Sequence, residues 1–278
     1  MKKTIAALLL PLFLAGIIIV TSNTSCKSCK NRSAREQKKI EMNEADTILN
    51  QMEKKVYPLP TSAEVIKMLT DLEVGYIFGI SNPVANSKKY IKSTDRAINL
   101  GGYGADLSYA TLYNMQQEVL NYLSALRSLA NELNMSQIYD ESWYEKIRKN
   151  VDNRDELVKI LTEAFQSTYS YFVENNQETL ALLVVGGAWV EGMYLTTHVS
   201  EAAYQVAGIS KNLLEQKESF DTFLEVTKPY ENDPDISNFL AILEPIKKVY
   251  EGLTTSLTQQ NIIDITKAIE GIRAQIIK

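Results

Sequence analysis

The chain has 278 residues, with 29 Lys and Arg, 34 Asp and Glu, one His, two Cys and a formal charge of −5. Its 12 Gly and 7 Pro fall short of the turn residues that a β-sandwich or an α/β domain of this length needs. One His and two Cys exclude most Cys/His metal clusters and any site requiring two imidazoles, and no Gly-x-Ser-x-Gly nucleophile elbow occurs.

Lys2 and Lys3 precede an apolar stretch from Ile5 to Val20, and small polar residues lead from there to Cys26. A basic start, an apolar core and a small-residue exit are the parts of a secretory signal, here residues 1–25. Pro11 and Gly16 interrupt the run, which is short for a membrane span of about 20 residues. Thr24 and Ser25 are small residues that a lipoprotein peptidase accepts, so Cys26 is the expected lipid anchor. Asn23 departs from that pattern, where an aliphatic residue is usual. Two other readings stay open: an uncleaved N-terminal anchor, and a Cys26-x-x-Cys29 redox pair, for which no βαβ context exists. Residues 26–39 then carry six bases and one acid, Glu36. Such a tether can lie against anionic headgroups at about 1 kcal/mol per charge. Beyond residue 39 there are 21 bases against 33 acids, which opposes nucleic-acid binding through phosphates. The expected partners are the membrane, through lipid and tether, and a protein or small ligand, with no nucleic acid and no cofactor.

From there the pattern is helix after helix. A charged helix over 34–55 is stopped by Tyr57-Pro58-Leu59-Pro60, and Thr61 with Glu64 forms a capping box for a helix through Val65, Ile66, Leu69, Leu72 and Ile77. Asn82-Pro83 breaks it. A new pattern from Ser93-Thr94-Asp95 to Leu133 is one bent helix, or two joined at Asn114. Helices follow over 139–149, 154–173 (capped by Asn153), 177–199, 210–227, 235–251 and 258–277, with Asn175-Asn176 as a turn. The stretch Leu180–Trp189 is apolar on nearly all sides, which suits the centre of a bundle better than a second membrane span. The expectation is an all-α multi-helix bundle over 40–278, behind the signal and the tether.

Two pairs of segments match within it. Glu64–Asp71 reads against Glu156–Glu163, and Gly101-Gly102-Tyr-Gly-Ala-Asp106-Leu-Ser-Tyr109-Ala-Thr111 against Gly186-Gly187-Ala-Trp-Val-Glu191-Gly-Met-Tyr194-Leu-Thr196. The matches predict an internal duplication, with halves of about 61–135 and 153–217 followed by C-terminal helices over 233–278. Consecutive helical glycines, each disfavoured by up to about 1 kcal/mol against Ala, point to close approach of another backbone. The two Gly-Gly helices should therefore face each other about a pseudo-two-fold axis.

On these helices Gly102, Asp106, Tyr109 and Tyr113 share one face, and Gly187, Glu191, Tyr194 and His198 share the matching one. Either each acid accepts hydrogen bonds inside the bundle, or both stripes line a polar pocket in which Asp106 and Glu191 converge on a cation or cationic ligand. The candidate ligand-binding residues are thus Asp106, Tyr109, Tyr113, Glu191, Tyr194 and His198. No metal site is expected, although His198-x-x-Glu201 has ligand spacing on a helix.

The signal with its cysteine, the phrase Asn99-Leu100-Gly101-Gly102-Tyr103-Gly104-Ala105-Asp106-Leu107-Ser108-Tyr109 and the phrase Gly186-Gly187-Ala188-Trp189-Val190-Glu191-Gly192 together resemble a group of helical lipoproteins from Bacteroidetes-type bacteria. The resemblance implies location and fold, and brings no activity with it. Basic residues after Cys26 (Lys27, Lys30, Arg32), where surface-exported lipoproteins often carry acids, favour the periplasmic face. The sequence thus favours a membrane-anchored binding or scaffolding module without chemistry of its own. Its rival is a metal- or small-ligand-binding protein using the carboxylate/tyrosine pocket; hydrolysis survives only through the acid/base capacity of paired carboxylates.

Overall fold

The computed structural model describes residues 69–278, apart from 71, 73, 200–202, 207, 254 and 255. The signal, Cys26, the tether, the capping box at Thr61, Glu201 and most of the phrase Glu64–Asp71 lie outside the described residues. Among the described residues there are eight α-helices and no strand: α1 (Ser93–Leu112), α2 (Gln116–Glu132), α3 (Glu141–Lys149), α4 (Arg154–Glu174), α5 (Glu178–Thr197), α6 (Ile209–Thr227), α7 (Pro234–Glu251) and α8 (Gln259–Ile276). The protein is all-α.

Local chemistry sets most of the boundaries. Asp140 accepts from Trp143 N at 2.8 Å and Asn153 from Glu156 N at 3.2 Å, each satisfying a free N–H at a helix start. Asp233 does the same for α7 ahead of Pro234, whose missing N–H is harmless at the first helical position. Thr258 and Asn261 cap α8 reciprocally. Three helices end alike: Asn114, Asn134 and Asn176 take φ of 54°, 61° and 55°. In each case the next residue's N–H reaches back to close the last turn: Met115 to Ala110, Met135 to Ala130 and Gln177 to Phe172, at 2.8–2.9 Å. Asparagine tolerates the left-handed conformation that this ending requires. The stretch 93–133 is therefore two helices, turned at Asn114.

One element differs from its expectation. The helix anticipated through Ile77 does not continue there: residues 74–80 are non-helical, with Gly79 at φ +77°. Gly75 and Gly79, with Val74, Ile77 and Ile80 between and around them, weaken a helix. The segment instead finds its hydrogen bonds on α1.

Helix α5 is the centre. It packs along α1 and also touches α4, α6, α7 and α8, while α1 packs on α2, α4 and α8. By length and composition α5 could span a membrane, but 83% of its apolar window is buried within the fold. The glycines explain its closest neighbour. A Cβ on Gly101 would fall 1.9 Å from the Val184 carbonyl oxygen, and one on Gly187 would fall 1.9 Å from that of Ile98. Two backbones are thus in direct contact. Ile98 opposes Gly187, Gly101 opposes Val184 and Ala188, and Gly102 lies nearest Glu191, so the helices run side by side in the same direction. The other two glycines behave differently: a Cβ on Gly186 would strike the Phe239 ring at 2.3 Å, whereas one on Gly102 would meet nothing closer than 3.9 Å.

Candidate functional site

The polar face of α1 is covered by the chain itself. Segment 74–92 lies along it, including a 3-10 turn at Val84–Lys88, and each rung is a hydrogen bond. Tyr113 Oη donates to the Val74 carbonyl at 2.6 Å, and Ile77 N–H donates to Tyr109 Oη at 2.7 Å. Asn82 N–H donates to Asp106 Oδ2 at 3.1 Å, and Tyr103 Oη donates to the Pro83 carbonyl at 2.8 Å. The Asn82 side chain donates to Tyr90 Oη and to Asn99 Oδ1 at 3.1 and 3.3 Å. Tyr76 stacks on Tyr109 with ring centroids 4.7 Å apart and meets Tyr113 edge-on at 5.7 Å. Tyr109 and Tyr113 therefore hold this strap. Burial pushes the Tyr113 phenol up to about 12, so it remains a donor.

Asp106 and Glu191 come together beneath the strap, at 0% and 3% exposure. Their cation is supplied from within. Arg273 of α8, 7% exposed, donates Nε to Glu191 Oε2 at 2.8 Å and Nη2 to Glu191 Oε1 at 2.7 Å, a two-pronged ion pair. The same Nη2 reaches the Ile80 carbonyl at 3.1 Å, and the guanidinium lies 3.9 Å over the Tyr194 ring. Arg273 thus joins α5, α8 and the strap at one point. Burial disfavours its charge, but the ion pair and hydrogen bonds with Glu191 lead the effects that offset this and hold it protonated.

Asp106 is left with no full countercharge. Burial first, then the neighbouring Glu191 carboxylate, raises its pKa well above the carboxylate range, against the opposing pull of Arg273. Its Oδ1 has no hydrogen-bond partner, and neither has the buried Ser81 Oγ. Tyr76, Tyr103, Tyr109 and Tyr122 lie within electrostatic range of it. A protonated Asp106 keeps the cluster neutral, one arginine against one glutamate.

His198 ends α5 at the edge of this cluster. It stacks on Tyr194 with centroids 4.0 Å apart, and its Nδ1 lies 2.9 Å from the Tyr194 carbonyl and 3.0 Å from Thr197 Oγ1. Burial lowers its pKa, which favours the neutral imidazole. Among the described residues no three His, Cys, Asp or Glu side chains gather as metal ligands would.

The structure therefore brings Asp106, Glu191, Tyr194 and His198 around Arg273, and sets Tyr109 and Tyr113 further along α1 beneath the strap. The sequence reading missed Arg273, Asn82 and Ser81. Arg273 had a signal: it is the one charge amid the isoleucine stripe Ile262, Ile265, Ile269, Ile272 and Ile276. Asn82 stood out only as half of a helix-breaking Asn-Pro. No protein-family model, curated protein or solved structure matches the chain.

Proposed function

We propose that the chain is a lipoprotein of the cell envelope, lipidated at Cys26 after removal of residues 1–25. Its helical domain is held on the periplasmic face by the lipid and the basic tether, and acts as a binding or scaffolding module without chemistry of its own. The signal-like start, the Thr24-Ser25-Cys26 junction and the resemblance to Bacteroidetes-type helical lipoproteins support the anchoring. We read the matched Gly-Gly phrases as the trace of an internal duplication, a reading supported by their recurrence on directly neighbouring helices.

One observation carries the choice of module over ligand pocket: each acid and both α1 tyrosines of the polar stripe are engaged inside the fold, with one Asp106 oxygen left over. Glu191 is engaged by Arg273, Asp106 by Asn82, and Tyr109 and Tyr113 by the strap backbone. Between the Gly-Gly helices, where a ligand would sit, the two backbones touch.

Expression in a related host with a clickable fatty acid tests the anchoring. Wild type should be labelled and sediment with membranes, and Cys26→Ser should lose the label; equal labelling of both would overturn lipidation at Cys26. Native mass spectrometry of the gently released protein tests the module. The apoprotein mass alone supports it, and a bound small molecule that is lost on Asp106→Asn would establish the ligand-binding rival.

A further inference from the structure

Where the strap meets α1, the surface departs from the rest of the domain. Ile91 is 80% exposed, one of two large apolar side chains so displayed among the described residues, the other being Phe78 at 74%. Lys88, Lys89 and Lys92 are exposed on either side of Ile91, and none of them forms an ion pair among the described residues. From Ser87 to Ala97 there are four bases and one acid, Asp95, and the fourth base, Arg96, is answered by Glu132 at 3.0 Å. This is a concentrated positive corner on a domain whose residues beyond 39 carry 33 acids against 21 bases. The corner is also held firmly. Tyr90, next to Ile91, is buried, accepts from Asn82, and its carbonyl accepts from Arg96 Nε at 2.9 Å. Ile91 therefore points outward from a fixed backbone.

We propose that this corner is a membrane contact, in which Lys88, Lys89 and Lys92 meet the headgroups of an anionic bilayer and Ile91 enters the interface. An exposed isoleucine costs free energy in water and gains it among acyl chains, while free lysines are attracted to anionic lipid. The acidic remainder of the domain is repelled by the same surface, so the corner also sets which side faces the membrane. The proposal rests on the envelope reading for the membrane's proximity, but not on lipidation itself.

The full chain is incubated with vesicles of phosphatidylglycerol or of phosphatidylcholine, treated with an amine-reactive reagent, and its lysines are read by mass spectrometry. Labelling of Lys88, Lys89 and Lys92 should fall about fivefold or more on the anionic vesicles relative to the neutral ones, as about 1 kcal/mol per contact implies. Lys211 and Lys248, exposed elsewhere, serve as internal controls and should change little. Ile91→Asp should restore labelling on anionic vesicles. Equal labelling on the two vesicle types overturns the proposal, as does protection without any vesicle, which would mean that protein covers the corner. Flotation with neutral vesicles is read in parallel: its loss counts against the lipid anchor and leaves the headgroup-dependent comparison intact.

Discussion

Helices α1 and α5 carry partly matching phrases and run side by side, yet they use them differently. In α1 the first glycine, Gly101, admits the partner backbone; in α5 the second, Gly187, does so. The contacts that exchange between the helices carry Ile98 onto Val184 and Gly101 onto Gly187, 86 positions on. The sequence match pairs Gly101 with Gly186, 85 positions on. One position is about 100° of helix rotation. The packing symmetry and the sequence repeat are therefore different relations, and the spare glycine of each helix is released for another use. Gly186 admits the ring of Phe239, while buried Gly102 leaves room for a methyl in ordinary contact with Glu191 Cβ. Matching letters thus need not pack alike: the glycines part company, while Thr111 and Thr196 both donate to the carbonyl four residues back.

The polar halves of the phrase diverge in the same way. Asp106 takes a backbone N–H from the strap and Glu191 takes an arginine. Removing the arginine should have the largest effect. Arg273→Met strands a buried carboxylate and should lower unfolding stability by about 3–5 kcal/mol in urea titration. The double variant Arg273→Met/Glu191→Leu should recover most of that loss; if it does not, the pair is not the centre of the joint.

Next come the contact glycines. Gly101→Ala and Gly187→Ala each force a methyl into a backbone carbonyl and should cost about 3 kcal/mol, measured the same way. Near-neutral values would mean that the two backbones do not touch.

The pH dependence follows from Asp106. Its pKa is raised in the folded state, so its contribution is fully present below the unfolded carboxylate pKa and is lost as pH rises through the folded value. Asp106→Asn, which mimics the protonated acid, should therefore gain stability relative to wild type on going from pH 4 to pH 8, by about 1 kcal/mol or more. His198 acts in the opposite sense: its lowered pKa gives stability above its unfolded value that is lost on acidification, equally in both proteins. A constant difference between Asp106→Asn and wild type across that range would show that Asp106 is already ionised in the fold.

The smallest effect should come from Gly102→Ala. With nothing within 3.4 Å of the new methyl, it should stabilise by a few tenths to about 1 kcal/mol through helix propensity alone. Loss of stability there would erase the contrast between the adjacent glycines.

The helical class, most helix ends and the buried status of α5 were legible in the sequence, because caps, left-handed asparagines and apolar periodicity act over a few residues. Asn153, Asn114 and the uniformly apolar run from Leu180 to Trp189 each state their role locally. The strap was not: its apolar spacing continued a helical pattern, and the partners that hold its backbone out of a helix, Tyr103, Asp106, Tyr109, Tyr113 and Arg273, all lie 20 or more residues away. The sequence also determined that two carboxylates and two tyrosines would recur on matched helices. What neutralises them was decided by tertiary structure, because Arg273 meets Glu191 across 82 residues and Ile80 across 193. The isoleucine stripe marks Arg273 as a buried charge but does not name its partner, which follows from which faces the packed helices bring together.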